Sequence, residues 1–353
     1  MRFILHPLIL SCISGLLLGL SWYPETFYFI FIGLVPLLYA YGLPTEHANL
    51  KGFSSWIFNY LGFLIWNVVS TWWVAYASFA GALMAFILNS LFMTLVFRYS
   101  MQGLKRNSKS FQGLGLLIFW SGWEYFHQQW ELSWPWLNLG NALASMPAWI
   151  QWFQFIGSSG GTLWILLVNL LIFNALINYK NRIYKLTYAG IALGVVIIPI
   201  VASYIIGLKS ETSAQERVAV VCVQPNSDPY HDKFSSNFNQ QFKHIWLPLK
   251  NHLTAGTDLV VFPETFVSQA FDLKILKHSY ILQTLRDSIF KYAPKARILT
   301  GLASYQIFEP GEAPSHTARS TAEPGYYIDF FNSAWWIDSL NSEYYHKSKL
   351  VPG

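Results

Sequence analysis

The sequence predicts a polytopic α-helical membrane domain over residues 1–208, followed by an α/β domain over residues 209–353. Only 12% of the 353 residues are charged, against about 25% in an average soluble protein. The shortage is local, because residues 1–208 contain nine of the 23 Lys and Arg residues and four of the 18 Asp and Glu residues. Long apolar runs fill the first region, whereas strand-like and helix-like patterns alternate in the second, as an α/β fold requires.

The membrane domain is predicted from seven apolar segments, several of which reach the roughly 20 residues that a helix needs to cross a bilayer. They cover residues 3–22, 27–41, 52–73, 76–97, 111–130, 162–177 and 186–208. The second and the sixth are short. The first lacks a small-x-small cleavage site and is followed by further spans, so we interpret it as an uncleaved anchor rather than a signal peptide.

The basic residues of this domain alternate from one predicted loop to the next. Arg2 precedes the first segment, and the loops after the second, fourth and sixth segments carry the other eight: Lys51, Arg98, Lys105, Arg106, Lys109, Lys180, Arg182 and Lys185. The loops after the first, third and fifth segments carry no Lys or Arg. This positive-inside pattern predicts a cytoplasmic amino terminus and a second domain on the outer side of the membrane.

The loop after the fifth segment, residues 131–161, is long and rich in Trp. One interpretation is an aromatic belt at the membrane interface; the other is part of a site for lipid tails on the outer leaflet. Glu124 lies near the outer end of the fifth segment, and we expect a solvated residue there rather than one that lines a polar cavity.

The second domain is predicted from a series of strands and helices. Strands are expected at residues 217–224, 258–262 and 297–303, with an extended run at 326–338 and another strand from 344; helices are expected at 233–253 and 275–292. Acidic and basic residues are equally frequent here, so nucleic-acid binding has no electrostatic support.

Glu264 is the first candidate for chemistry. Residues 259–262 are apolar and predict a buried strand, which Pro263 ends because proline cannot donate to a sheet ladder. Glu264 therefore follows the carboxyl end of a strand, where α/β sheets bind ligands, and it is a candidate general base. A turn-forming or capping role is the structural alternative.

Further motifs follow Glu264 in the chain: Asn332-Ser333-Ala334, and Tyr345-His346-Lys347-Ser348-Lys349-Leu350-Val351-Pro352-Gly353. In this order they resemble the carbon–nitrogen hydrolase (nitrilase) superfamily. With the preceding spans and Val223-Gln224-Pro225-Asn226, the chain resembles its membrane-bound branch, the apolipoprotein N-acyltransferases. The resemblance implies that the second domain is a nitrilase-like αββα sandwich.

The resemblance also implies a reaction and its residues. Glu264 matches the general base that takes a proton from a cysteine thiol, and Lys347 matches the cation that stabilises the oxyanion. The cysteine takes an acyl chain from a phospholipid such as phosphatidylethanolamine, and the α-amino group of the diacylglyceryl cysteine of an apolipoprotein then receives it. A bacterial inner-membrane protein with a periplasmic hydrolase-like domain is implied, without a metal or other cofactor.

Other residues of the motifs receive no catalytic role. We expect Asn332 to satisfy backbone groups, and Gln224 and Asn226 match family positions without an assigned chemistry. Lys349 stands where many members of the superfamily have a histidine, and we interpret it as a surface residue.

The nucleophile is the main departure from the family pattern, in which the cysteine follows the lysine. The two cysteines here are Cys12, in the first apolar segment, and Cys222, in the first strand of the second domain. We expect Cys222 to be buried and inert. We therefore interpret the chain as lacking the family's carboxyl-terminal part, and expect these 353 residues to be inactive by themselves.

Two other functions remain open. A membrane-tethered nitrilase-type amidase would use the same Glu264 and Lys347, although seven spans and an aromatic loop favour a lipid substrate. A non-enzymatic polytopic membrane protein, such as a scaffold or transporter, would leave Glu264 structural. The scarcity of charges within the apolar segments argues against a solute pathway.

Overall fold

A computed structural model describes residues 6–42, 53–102, 113–210, 217–226 and 237–348. The chain divides into two compact units, the second of which covers Ala214–Val351. The predicted boundary lay between residues 208 and 209. Arg2, Lys51, Lys105, Arg106, Lys109 and the motif end 349–353 fall outside the described residues.

The first unit consists of seven described α-helices. They are α1 (Pro7–Leu20), α2 (Val35–Gly42), α3 (Phe53–Thr71), α4 (Phe79–Gln102), α5 (Leu114–His127), α6 (Phe153–Ile177) and α7 (Arg182–Ser210). Four described segments are long and apolar enough to cross a membrane: Ser54–Tyr76, Phe79–Met101, Phe153–Ile177 and Arg182–Leu208. The helices at the first, second and fifth predicted spans are shorter, with 14, 8 and 14 residues.

The second predicted span is interrupted rather than continuous. A 3-10 helix at Phe27–Phe31 precedes α2, and the side chain of Asn169 on α6 bonds to the backbone at the break. Asn169 Oδ1 accepts from the Leu34 amide at 2.9 Å, and its Nδ2 donates to the Ile30 carbonyl at 2.9 Å. This side chain replaces the backbone partners that a continuous helix would have supplied.

The helical segment at the sixth predicted span begins earlier than expected, since α6 starts at Phe153 instead of residue 162 and has a kink at Gly157, where φ is 68°. Glycines permit close packing between the aromatic loop and the start of α6. A Cβ on Gly140 would lie 2.1 Å from the Ser158 carbonyl oxygen, and one on Gly161 would lie 2.3 Å from the ring of Phe153. The aromatic loop before α6 folds into three 3-10 helices at Pro135–Leu137, Leu139–Leu143 and Pro147–Trp149.

The prediction that Glu124 is solvated is wrong. Its residue is 6% exposed, because the loop after α5 folds back over it. One carboxylate oxygen accepts from Trp120 Nε1 at 2.9 Å and from the Leu139 amide at 2.8 Å, and the other accepts from Thr162 Oγ1 at 2.5 Å. Glu124 therefore links α5, the aromatic loop and α6.

The second unit is a mixed sheet of seven described strands. They are β1 (Val220–Cys222), β2 (Leu259–Val261), β3 (Val267–Asp272), β4 (Arg297–Phe308), β5 (Arg319–Ser320), β6 (Tyr327–Ile337) and β7 (Ser342–His346). The order is β1-β2-β4-β6-β5, with β3 beside β4 and β7 beside β6. The first four strands pair in parallel, whereas β5, β6 and β7 form antiparallel pairs.

Two helices, α8 (Phe238–His252) and α9 (Tyr280–Ile289), pack on one face of this sheet. Apolar side chains of β4 and β6, including Ile298, Leu302 and Trp335, are buried in this core. Phe330, Trp336 and Tyr345 are exposed. The described residues form one sheet with one helical layer, and the αββα sandwich stays a prediction.

Several element boundaries differ from those predicted. The helix predicted at 233–253 begins at Phe238, because Asn237 forms a capping box with Gln240. The helix predicted from residue 275 begins at Tyr280, because the Ser279 side chain caps it. The strand predicted at 297–303 continues to Phe308, and β3 and β5 were not predicted.

Candidate active site

Glu264 lies in a tight turn between β2 and β3. The Phe262 amide donates to the Leu299 carbonyl at 2.8 Å, which continues the pairing with β4, and Pro263 then ends the strand. The Gly301 amide donates to the Pro263 carbonyl at 3.2 Å. Thr265 has a positive φ of 56°, a strained conformation for a β-branched residue. The turn therefore holds Glu264 at the carboxyl end of β2.

Gly301 permits this turn to lie against β4. A Cβ at this position would be 2.2 Å from the Thr265 nitrogen and 2.7 Å from the Glu264 Cα. Both are backbone atoms, so neither can move away as a flexible side chain would. A glycine is therefore required for the observed approach of the turn.

Lys347 reaches Glu264 from the strands that lie beyond β4 in the sheet order. It directly follows β7, and its amide donates to the Asn332 carbonyl at 2.8 Å, so it extends the antiparallel pairing with β6. Its Nζ donates to Glu264 Oε1 at 2.8 Å. The structure thus brings the two predicted catalytic residues into direct contact, although they are 83 positions apart.

Asn332 also contacts the carboxylate. Its Nδ2 donates to Glu264 Oε1 at 2.6 Å, whereas the sequence interpretation expected the side chain to satisfy backbone groups. Two donors, one of them charged, therefore converge on a single carboxylate oxygen and orient it. The ion pair is open to solvent, with 38% of the Lys347 side chain and 61% of the Glu264 side chain exposed. Such exposed pairs contribute at most about 1 kcal/mol to stability.

The three polar residues line a cavity of about 340 Å³. Its other walls come from the residue that follows β2 and from β4, β6 and β7: Phe262, Leu299, Thr300, Gly301, Ser333, Ala334 and Tyr345. A carboxylate, an ammonium and an amide at an open, largely apolar cavity can accept a proton and stabilise a developing negative charge on a substrate.

A second polar group lies next to this cavity and was not predicted. Ser333 Oγ and His346 Nδ1 are 2.8 Å apart, and Ser304 Oγ is 3.0 Å from Ser333 Oγ. The His346 ring stacks on Phe331 with centroids 4.0 Å apart. Burial lowers the pKa of His346. The hairpin register alone, which places Ser333 opposite His346, could have revealed this pair.

Cys222 does not lie at the Glu264 cavity. It lines a different cavity of about 310 Å³, together with Gln224 and with His244 and His252 of α8. The prediction that Cys222 is buried is wrong, since it is exposed on β1, the edge strand of the sheet. Asn226 follows β1 with a φ of 53°. Among the described residues, no cluster of three or more His, Cys, Asp or Glu could hold a metal ion.

Two comparisons with known proteins bear on these observations. Residues 14–171 match the family model described as the apolipoprotein N-acyltransferase N-terminal domain. The chain is also 25% identical, over 367 residues, to the apolipoprotein N-acyltransferase of Chlorobaculum tepidum. This match covers 99% of the present chain, which spans 65% of the length of that relative. The resemblance inferred from the motifs is confirmed.

Proposed function

Because the chain is related in sequence to the apolipoprotein N-acyltransferases, we propose that it takes part in the N-acylation of lipoproteins. The acyl donor is a phospholipid such as phosphatidylethanolamine, and the acceptor is the α-amino group of a diacylglyceryl cysteine. The positive-inside pattern supports an inner-membrane protein whose second unit faces the periplasm.

In the proposed mechanism, Glu264 takes the proton of a cysteine thiol while the sulfur attacks the acyl ester carbonyl. Lys347 stabilises the oxyanion, the ester C–O bond breaks, and the proton passes to the departing lysophospholipid oxygen. The acceptor amine then attacks the thioester, the C–S bond breaks, and the proton of the amine returns to the sulfur through Glu264. Asn332 orients the carboxylate through its contact at 2.6 Å.

The observation that carries this proposal is the contact of Lys347 Nζ with Glu264 Oε1 at 2.8 Å in a chain whose other unit has four long apolar helices. The thiol must lie within reach of Glu264, and Cys222, the cysteine of the second unit, lines the other cavity. The expectation that residues 1–353 alone form no acyl-enzyme therefore stays part of the proposal.

The test uses the chain as it stands and a fusion extended past residue 353 by a carboxyl-terminal segment that supplies a cysteine after Lys347, the order that the family resemblance implies. Both proteins receive radiolabelled phosphatidylethanolamine and a diacylglyceryl-cysteine peptide. We expect a hydroxylamine-sensitive acyl thioester, and acylated peptide, only with the fusion. A thioester on the unextended chain that disappears in Cys222→Ser would show that Cys222 is the nucleophile after all.

Variants of the fusion test the two catalytic assignments. Glu264→Gln and Lys347→Ala should each reduce acyl transfer by at least about a hundredfold, as losses of single acid–base or oxyanion groups do. The matched control is Lys274→Ala, which removes a second exposed ion pair of the same unit, to Glu309 at 3.2 Å, and should leave transfer unchanged. Full activity in Glu264→Gln contradicts the mechanism, and hydrolysis of small amides without lipid transfer would favour the amidase.

A further inference from the structure

A groove on the membrane unit lies between α6 and α7. Its volume is about 410 Å³. Its walls are formed by eight apolar residues, three of which are alanines: Val168, Ile172, Ala175, Leu176, Ala189, Ala192, Leu193 and Val196. Lys185 is the one charged residue in the lining. The alanines leave space that larger side chains would fill.

The helices are tied together at one end of this groove. Pro199, inside α7, has no amide hydrogen and so leaves the Val195 carbonyl without its usual helical partner. Trp164 Nε1 of α6 donates to that carbonyl at 2.6 Å. The groove therefore closes near Val195 and extends from there toward the end where α6 stops at Ile177 and α7 starts at Arg182.

The length of the groove fits one leaflet of a bilayer. Along α7 its lining runs from Lys185 to Val196, which is about 16 Å at 1.5 Å per residue. This is roughly half of the ~30 Å hydrocarbon thickness of a membrane. An acyl chain can fill the groove while its head group lies at the level of Lys185.

The charge at this end is positive. Lys185 is exposed, and Lys180 and Arg182 lie beside it in sequence and are also exposed. The acids in the described part of the membrane unit are Glu25, Glu124 and Glu131, and none of them is on α7 or in the turn before it. The described residues give the Lys185 ammonium no ion pair, so an anion is the complementary partner.

We propose that this groove binds one acyl chain of an anionic phospholipid whose phosphate contacts the Lys185 ammonium. The site is independent of the proposed acyl transfer, because it uses only residues of the membrane unit. It holds a lipid as a bound component of the fold rather than as an acyl donor.

The test is native mass spectrometry of the delipidated full chain with equimolar phosphatidylglycerol and phosphatidylcholine of identical acyl chains. We expect one retained phosphatidylglycerol, favoured about fivefold over phosphatidylcholine, the factor that one lysine near an anionic lipid supplies. Lys185→Ala should abolish the preference, and Lys180→Ala, outside the groove lining, should keep it. Equal effects of the two variants would overturn the proposal in favour of general attraction to a basic surface. No preference in the parent chain would overturn it by showing that the anionic head group is not selected.

A second pair of variants tests the acyl chain. Ala189→Phe places a ring in the groove and should reduce the retention of both lipids by at least about fivefold. Ile191→Phe, on the same helix, 48% exposed and outside the groove lining, places the same ring outside the groove and should retain lipid like the parent chain. Unchanged binding in Ala189→Phe would show that the lipid contacts only the basic residues and would refute the groove as its site.

Discussion

Gly301 is the residue on which the geometry of the candidate site depends most directly. We predict that Gly301→Ala destabilises the second unit by about 1–3 kcal/mol, the usual cost of overpacking, and displaces Glu264 from Lys347. The reason is the 2.2 Å approach of a Cβ to the Thr265 nitrogen. Thermal unfolding measures the stability, and the acyl-transfer assay of the extended fusion measures the loss at the site.

Gly256→Ala is the matched control for this change. A Cβ at Gly256 would meet its nearest neighbour, Thr254 Oγ1, at 3.7 Å, which is ordinary van der Waals contact. The control variant should therefore unfold near the parent temperature. Parent-like stability and activity in Gly301→Ala would mean that the turn can move away from β4 without loss.

Glu124 leads to a second prediction at this scale. Glu124→Ala leaves Trp120 Nε1, the Leu139 amide and Thr162 Oγ1 without their acceptor, and each buried unsatisfied group costs about 1–3 kcal/mol. We expect a loss of about 3 kcal/mol or more, and a smaller loss in Glu124→Gln, which keeps one acceptor oxygen. Thermal unfolding in detergent compares both variants with Glu131→Ala at an exposed acid. A Glu124→Ala protein as stable as that control would contradict a structural link.

Glu264 was proposed from the end of a predicted strand, and Lys347 from the resemblance of its motif to a family; both are local signals in the sequence. The interpretation of the sequence misjudged Asn332, Glu124 and Cys222, whose surroundings are set by distant parts of the chain. The amide of Asn332 meets a carboxylate 68 positions away, and Glu124 is buried by a loop that folds back onto α5. No local pattern contains this information, since it depends on which elements pack together.

At the scale of elements, the β6–β7 hairpin sets the register that places Lys347 beside Asn332. Asp338 closes its turn, because Oδ1 accepts from the Leu340 amide at 2.7 Å and from the Asn341 amide at 2.5 Å. These two bonds, the one from the Asn341 amide most of all, hold the pKa of Asp338 below its ordinary value. A carboxyl with a lowered folded-state pKa contributes stability above its unfolded pKa, and that contribution is lost as the pH falls through the folded value.

We therefore predict that Asp338→Ala is less stable than the parent chain at pH 7 and that the difference shrinks when the pH falls below about 4. Unfolding temperatures of both proteins between pH 7 and pH 2.5 test this. Asp287→Ala, at an exposed acid of α9, is the control and should show a smaller difference. A gap between parent and Asp338→Ala that is constant over the whole range would contradict the role of the ionised carboxylate.

Some strands and helix starts of the second unit could be predicted from the sequence, and others could not. The extended run at 326–338 and the strand that follows it were predicted, because runs of aromatic and β-branched residues are strong signals. β3 was missed because Ser268, Gln269 and Asp272 make its sequence look like a loop, and its pairing with β4 includes a register shift. The early predictions for α8 and α9 ignored Asn237 and Ser279, whose capping bonds fix where those helices begin.

For the whole molecule, the testable consequence of the sequence is its orientation in the membrane. Phosphatase and fluorescent reporters are fused after Asn107 and after Ser210. The first fusion should report the cytoplasm and the second the periplasm, because all nine basic residues of the first domain fall in segments predicted on the same side of the membrane. Equal phosphatase activity from both fusions contradicts the model. Replacing Lys180, Arg182 and Lys185 with Gln weakens the charge bias and should make the Ser210 reporter less uniform.

The two-unit architecture follows from composition, since a region with few charges and long apolar runs differs from one with strand–helix alternation. The order of strands in the sheet could not be predicted from composition, because β4 and β6 pair across a loop and β3 pairs with β4. Such pairings depend on side-chain fit between segments that are far apart in the chain.

Because Glu264 and Lys347 are 83 positions apart, the ribosome adds them to the chain at different times. At a translation rate of about 5–20 residues per second, Lys347 is polymerised about 4–17 s after Glu264. During that interval the nascent chain contains Glu264 but not yet Lys347, and β6 has not yet been able to pair with β7. A newly made molecule therefore has no Glu264–Lys347 ion pair until its hairpin closes, so the candidate site assembles only late in synthesis.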